Sequence, residues 1–190
     1  MASPIGHTLC GFTCLVAVEI AQSPKFRALD WKNAALFAFL ANLPDIDFFI
    51  GYLFSSDPHR FHSGPTHSLV FALTAGVFFG CLFFRRLGPV LSWLIPTGVI
   101  LSHSLIDLFT GPALGFHTSY GVSLLWPLEE GRIRMPLSLF LGVHHDNWER
   151  LLSLHNVWVM ATEIIGFLPL IFILSIWSAR KRTPRRPFSN

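Results

Sequence analysis

The stretch Ser68–Phe84, SLVFALTAGVFFGCLFF, carries no charged side chain. A helix of this composition has no face for water, and its length approaches the roughly 20 residues that cross a bilayer core. Four further apolar runs surround it: Thr8–Gln22 and Ala34–Phe54 before it, Pro89–Thr110 and Val157–Trp177 after it. Ala34–Phe54 is interrupted by Pro44, Asp45 and Asp47, and Val157–Trp177 contains one charge, Glu163. The pattern predicts an all-α fold, a polytopic membrane helical bundle of about five spans. We expect one membrane-embedded domain over residues 1–190, with an outer loop at 111–156 and a basic tail at 178–190.

Composition points the same way. Only 13% of the 190 residues are charged and mean hydropathy is +0.51, whereas soluble domains carry about 25% charged residues. The 19 Phe and 6 Trp exclude disorder, and the low charge excludes a coiled coil. Three cysteines, Cys10, Cys14 and Cys81, cannot form a closed disulfide set and include no CxxC. Met1–His7 lacks the positive region of a signal peptide.

Basic residues set the expected orientation. With the N-terminus outside and the spans alternating, the inner side holds Lys25, Arg27, Lys32, Arg85, Arg86, Arg180, Lys181, Arg182, Arg185 and Arg186. The outer side keeps Arg60, Arg132, Arg134 and Arg150. The positive-inside rule selects this arrangement and a cytoplasmic C-terminus. The net charge of +3 is therefore read as membrane anchoring, and no nucleic-acid partner is expected, because no aromatic interleaving accompanies the basic tail.

His and Asp follow the opposite distribution. His7 precedes the first run, Asp45 and Asp47 lie in the outer half of the second, His59, His62 and His67 lead into the third, and His103 and Asp107 end the fourth. Since orientation came from Lys and Arg alone, this clustering is an independent result. Ionisable groups in membrane segments are costly and point to function. His103 and Asp107, four apart on a helix, share a face. Asp45 and Asp47 would diverge on a regular helix, but Pro44 disfavours one and allows both to turn inward. Imidazole with carboxylate and without thiolate suits zinc, manganese or iron. One such residue alone is ordinarily a polar group at a helix end or a cap. Such residues in four segments at one depth point to a divalent metal site, zinc first, with His7, Asp45, His67, His103 and Asp107 as ligands. Asp47 and His62 are the candidate catalytic groups, each a base or a further ligand.

These same residues carry a resemblance. His7-Thr8-Leu9-Cys10-Gly11, then Asn42–Asp47 (NLPDID), His62–Ser68 (HSGPTHS), His103–Thr110 (HSLIDLFT) and Gly121–Pro127 (GVSLLWP) follow the order of the YdjM family, over roughly residues 1–130. The family is described as inner-membrane, metal-dependent hydrolases, so the resemblance implies that activity, a bound metal and an inner-membrane location. Where the family has HRG this chain has His62-Ser63-Gly64, with Arg60 as the possible substitute. Residues 111–120 are an insertion before GVSLLWP. A fainter similarity, HxxxD at His103/Asp107 and HxxxE at His145/Glu149, is to the zinc-dependent phospholipase C and S1/P1 nuclease group, and it favours phosphoester substrates.

The loop 111–156 is aromatic and bears histidines, which argues for order. Its His117, His144, His145, Glu149 and His155 either extend the site or form a solvated face. Glu129, Glu130, Arg132 and Arg134 read as a polar turn. Glu163 lies about two turns into the last span and either supports the site or pairs with a polar neighbour. No GxSxG is present, so a serine hydrolase has no support. The leading expectation is a membrane-bound metal-dependent hydrolase acting on a phosphoester or lipid-like substrate at the outer interface. The alternatives are a metal-binding ion or proton transporter and a scaffold with a structural metal. The inner halves of the spans carry no His or Asp, which argues against a transport path.

Overall fold

The computed structural model describes residues 1–22, 30–55, 61–145 and 148–182. Lys25, Arg27, His59, Arg60, Arg185 and Arg186 lie outside the described residues, as does the Glu149 side chain. Seven helices are present among the described residues: α1 Pro4–Gln22, α2 Trp31–Asn42, α3 Ile46–Ser55, α4 Leu69–Phe83, α5 Pro89–Leu108, α6 Trp148–Leu151 and α7 Leu154–Arg182. Four apolar stretches are long enough to cross a membrane: Pro4–Gln22, Trp31–Ser55, Pro89–Leu108 and Leu154–Lys181. The fifth, α4, has 15 residues and spans about 22 Å, short of the roughly 30 Å core.

Around a shared core, α1 packs on α2, α5 and α7, while α5 packs on α2 and α4. Leu15, Phe37, Leu40, Ala41, Ala72, Val99 and Ile100 fill that core. Large apolar side chains also cover the outside: Phe49, Leu53, Phe54, Phe78, Trp158 and Ile165 are all exposed. A surface of that kind is at rest only in lipid.

Glycine sets the α4–α5 contact. A Cβ on Gly76 would lie 1.9 Å from Thr97 Oγ1, and one on Gly80 would lie 2.3 Å from the Ser92 carbonyl oxygen. The two glycines, four residues apart, let the backbones meet in the manner of small-residue membrane interfaces.

Helix boundaries differ from the apolar runs at two informative places. α1 starts at Pro4, ahead of Thr8, because Ser3 caps it: the Ser3 hydroxyl accepts from the Gly6 N–H at 3.1 Å, and Pro4 occupies the first helical position. His7 is therefore inside the helix. α5 stops at Leu108, with Gly111-Pro112 following, so Thr110 leaves the span. Instead Thr110–Gly111 forms a short strand, β1, parallel to β2, Phe140–Leu141. Antiparallel bridges Gly115↔Ser138 and Val122↔Ile133 close the same segment. Much of the long loop is thus a hydrogen-bonded cover over one end of the bundle.

Candidate metal centre

Pro44 cannot donate a backbone hydrogen bond, and the chain between α2 and α3 tightens into a 3₁₀ turn, Leu43–Asp45. That turn reorients the following carboxylates so that Asp45 and Asp47 both face His67. A second 3₁₀ turn, Pro65–His67, delivers His67 at the foot of α4, where Ser68 caps the helix by accepting from the Phe71 N–H. α5 contributes His103 and Asp107, and α1 contributes His7. His7, His67 and His103 are fully buried, and Asp107 and Asp47 nearly so.

Asp45, His67 and His103 form one ligand group, and Asp107 approaches both of its imidazoles. His103 Nε2 lies 3.1 Å from His67 Nε2, 3.3 Å from Asp45 Oδ1 and 3.5 Å from Asp107 Oδ2. His67 Nε2 lies 3.7 Å from Asp45 Oδ1 and 3.5 Å from Asp107 Oδ2. A tetrahedron whose centre is 2.0–2.2 Å from each vertex has edges of about 3.3–3.6 Å, the spacing of zinc bound by nitrogen and oxygen. The donor set matches as well as the distances. His103 Nδ1 lies 2.8 Å from the Ala41 carbonyl oxygen, which only accepts, so Nδ1 carries the proton and Nε2 presents a lone pair. His67 Nδ1 faces Asp47 Oδ2 at 3.3 Å and is held in the same tautomer. Two lone pairs and two carboxylate oxygens therefore face one another with no donor among them. Asp45 Oδ1 and Asp107 Oδ2 are buried and make no hydrogen bond within the described residues. A divalent cation satisfies such a cluster, as does a proton taken up on Nε2 of one ring.

Asp107 also faces the other way. Its Oδ1 accepts from the Ala2 N–H at 2.7 Å and lies 3.5 Å from His7 Nε2. The His7 ring stacks on His103 with centroids 3.6 Å apart. His7, His103 and Asp107 form a second group whose ligand atoms lie within 4.8 Å of one another, and Asp47, His62 and His67 form a third.

Asp47 is a hub. It accepts from His62 Nδ1 at 3.1 Å, the Ser63 N–H at 3.2 Å and the Thr66 hydroxyl at 2.9 Å, besides facing His67. His62 Nε2 is buried without a hydrogen-bond partner among the described residues. Burial holds the His62 pKa below its ordinary value against the pull of Asp47. Burial also opposes the charged form of His67, but its contacts with Asp107 and Asp47 outweigh that, and its pKa is raised.

A family model described as YdjM inner membrane protein matches residues 1–183. The chain belongs to the YdjM family. Over 78 residues it is 41% identical to inner membrane protein YbcI of Escherichia coli (strain K12), a match covering 40% of this chain and 41% of YbcI. The aligned part thus spans about two-fifths of that relative. No solved structure matches this chain.

In this YdjM chain the loop histidines divide. His117 is exposed and away from the cluster. His144 stacks on His155 at 4.0 Å, and His155 Nε2 donates to the Gly142 carbonyl. His145 sits edge-on to Phe48 and His62, each at 5.6 Å, so it borders the cluster without entering a ligand group. Glu163 accepts from the Ser3 N–H at 2.8 Å and from the Ser3 hydroxyl. It supports the start of α1, and through it His7. Ala41, Ser63 and Thr66 were not among the expected site residues. Thr66, adjacent to His67 and next to the Gly64-Pro65 turn, had the only local signal; the Ala41 carbonyl is supplied by packing.

Proposed function

We propose that this protein is a metal-dependent hydrolase acting at the outer face of the inner membrane, with its C-terminus in the cytoplasm. One observation carries the reading: the buried, all-acceptor meeting of His67 Nε2, His103 Nε2, Asp45 Oδ1 and Asp107 Oδ2. These four residues would hold the divalent ion, zinc first and manganese or iron second, with His7 beside Asp107 as a further ligand. Bound there, the ion would supply Lewis acidity and, at a coordination position left to or added for water, water activation near neutral pH.

The chain's own residues do the rest. Asp47 orients His67 and His62 through hydrogen bonds, so it acts as a positioning group. Among the described residues His62 Nε2 has no hydrogen-bond partner and, with its lowered pKa, the ring accepts a proton from the attacking water. The site lies at one end of the helices, where an amphiphile reaches it laterally from the bilayer. The substrate is a phosphoester or lipid-like molecule, and no nucleic acid is involved.

The test measures zinc content, hydrolysis of a phosphoester and ester panel, and ion flux in reconstituted vesicles, for wild type and Asp107→Asn. We expect zinc in the wild type, turnover that depends on it, and collapse of both in the variant. Metal-dependent flux without hydrolysis of any panel member would overturn the enzyme reading in favour of a transporter.

A further inference from the structure

A pocket of about 280 Å³ opens beside the cluster, bounded by Asp107, Ser63, Tyr120, Arg132, His144 and His145 among others. Its volume is at the lower end for small-molecule sites, enough for a polar head and not for acyl chains. Asp107 reaches it from the metal cluster, and its Oδ2 is buried without a hydrogen-bond partner among the described residues. Arg132 brings a permanent positive charge.

Arg132 is held in place. Val122 and Ile133 exchange both backbone hydrogen bonds, at 3.1 and 2.9 Å, and Arg132 sits next to that bridge. The strip needs Gly121: its φ is +78°, and a Cβ there would lie 2.5 Å from the Ile133 carbonyl oxygen. The Ser123 N–H reaches back to the Ser63 carbonyl at 3.4 Å. Arg132 Nη2 itself donates to the His62 carbonyl at 3.1 Å. Among the described residues this is its one hydrogen bond, so the remaining N–H donors of the guanidinium are left for a ligand. The exposed Arg132 lines the same pocket as Asp107, and a planar fork of donors beside a cation site suits a phosphoryl group, whose oxygens can be shared between the two.

We infer that this pocket is a subsite for the anionic phosphoryl group of the substrate, with Arg132 as its binding residue. The inference rests on the reading of the cluster as a metal centre and narrows its substrate class from a phosphoester or lipid-like molecule to one that carries a phosphoryl group.

The experiment titrates inorganic phosphate into the zinc-loaded full chain in detergent, for wild type, Arg132→Ala and Arg132→Lys. Zinc content and melting temperature are read on the same samples. We expect Arg132→Ala to retain zinc and fold while phosphate affinity falls about 10- to 100-fold, the scale of a lost charge-assisted contact. Arg132→Lys should fall between, since lysine keeps the charge and not the fork. A second arm compares micelles doped with phosphatidic acid or with diacylglycerol. Arg132-dependent preference for phosphatidic acid identifies a lipid headgroup as the source. Binding of inorganic phosphate without that preference identifies a soluble phosphoester. Equal phosphate binding by wild type and Arg132→Ala, or binding by neither, overturns the subsite and leaves the metal reading standing. A wild type that takes up no zinc overturns the metal reading. The same titration on the metal-free chain then decides the subsite by its dependence on Arg132.

Discussion

His67 and His103 face each other through Nε2 atoms 3.1 Å apart, and the far nitrogen of each ring has an acceptor of its own. Asp47 and the Ala41 carbonyl hold the protons on the far nitrogens. Removing either ring should therefore remove a ligand. His103→Ala is expected to lose zinc under conditions that load the wild type, measured by elemental analysis of purified protein. Equal zinc in both would refute the four-residue centre.

Asp47 touches both His67 and His62 without facing the central point. Asp47→Asn should weaken zinc binding about 10- to 100-fold, the usual cost of losing a group that orients a ligand, with the helical content unchanged. Competition with a chelator of known affinity measures it. Complete zinc loss would instead make Asp47 a direct ligand.

Protons and metal compete for His67. Its raised pKa means that the ring keeps a proton at pH values above the ordinary histidine range near 6.5. Zinc binding at neutral pH should release protons, and apparent affinity should fall as pH is lowered. Calorimetry in buffers of different ionisation enthalpy reads the release directly. An affinity flat between pH 5 and pH 8, by the same reasoning, would count against His67 as a ligand.

Close helix packing predicts a contrast between two glycines. Gly80→Ala places a Cβ against the Ser92 backbone, and the structure should lose about 1–3 kcal/mol. Gly98→Ala, on α5, meets nothing within 4 Å and should be neutral or gain up to about 1 kcal/mol of helix propensity. Thermal denaturation in detergent compares the two.

Much of this was legible because two residue classes segregate along the chain. Most Lys and Arg stand at one set of span ends, His and most site Asp at the other, so the expected orientation and the candidate site rest on separate residue classes. Asp45 and Asp47 were readable through Pro44, whose chemistry breaks the helix locally. The start of α1 was marked by Ser3-Pro4, a cap signal outweighed by the apolar run beginning at Thr8. Other features leave no periodic trace. The pairing of Thr110–Gly111 with Phe140–Leu141 involves two residues a side, too few for an alternation to show. Arg132 reaches His62 across 70 positions, a distance over which sequence spacing carries no geometry. From the sequence Arg132 was one charge in a polar turn.

The shortness of α4 has a consequence for the surrounding lipid. Arg85 and Arg86 follow its C-terminal end and seek the headgroups, while His67 and Ser68 start the other end. With about 22 Å between them, a bilayer of ordinary thickness cannot be matched on both sides. The mismatch falls on the His67 end, where the membrane must thin or the cluster must sit below the headgroup plane. Lipid phosphates are drawn down toward the histidines in the first case, and in the second a substrate must be lifted part-way out of its leaflet. Lengthening the acyl chains of the host membrane by a few carbons then raises the work of reaching the site, so any turnover by the proposed hydrolase would depend on bilayer thickness.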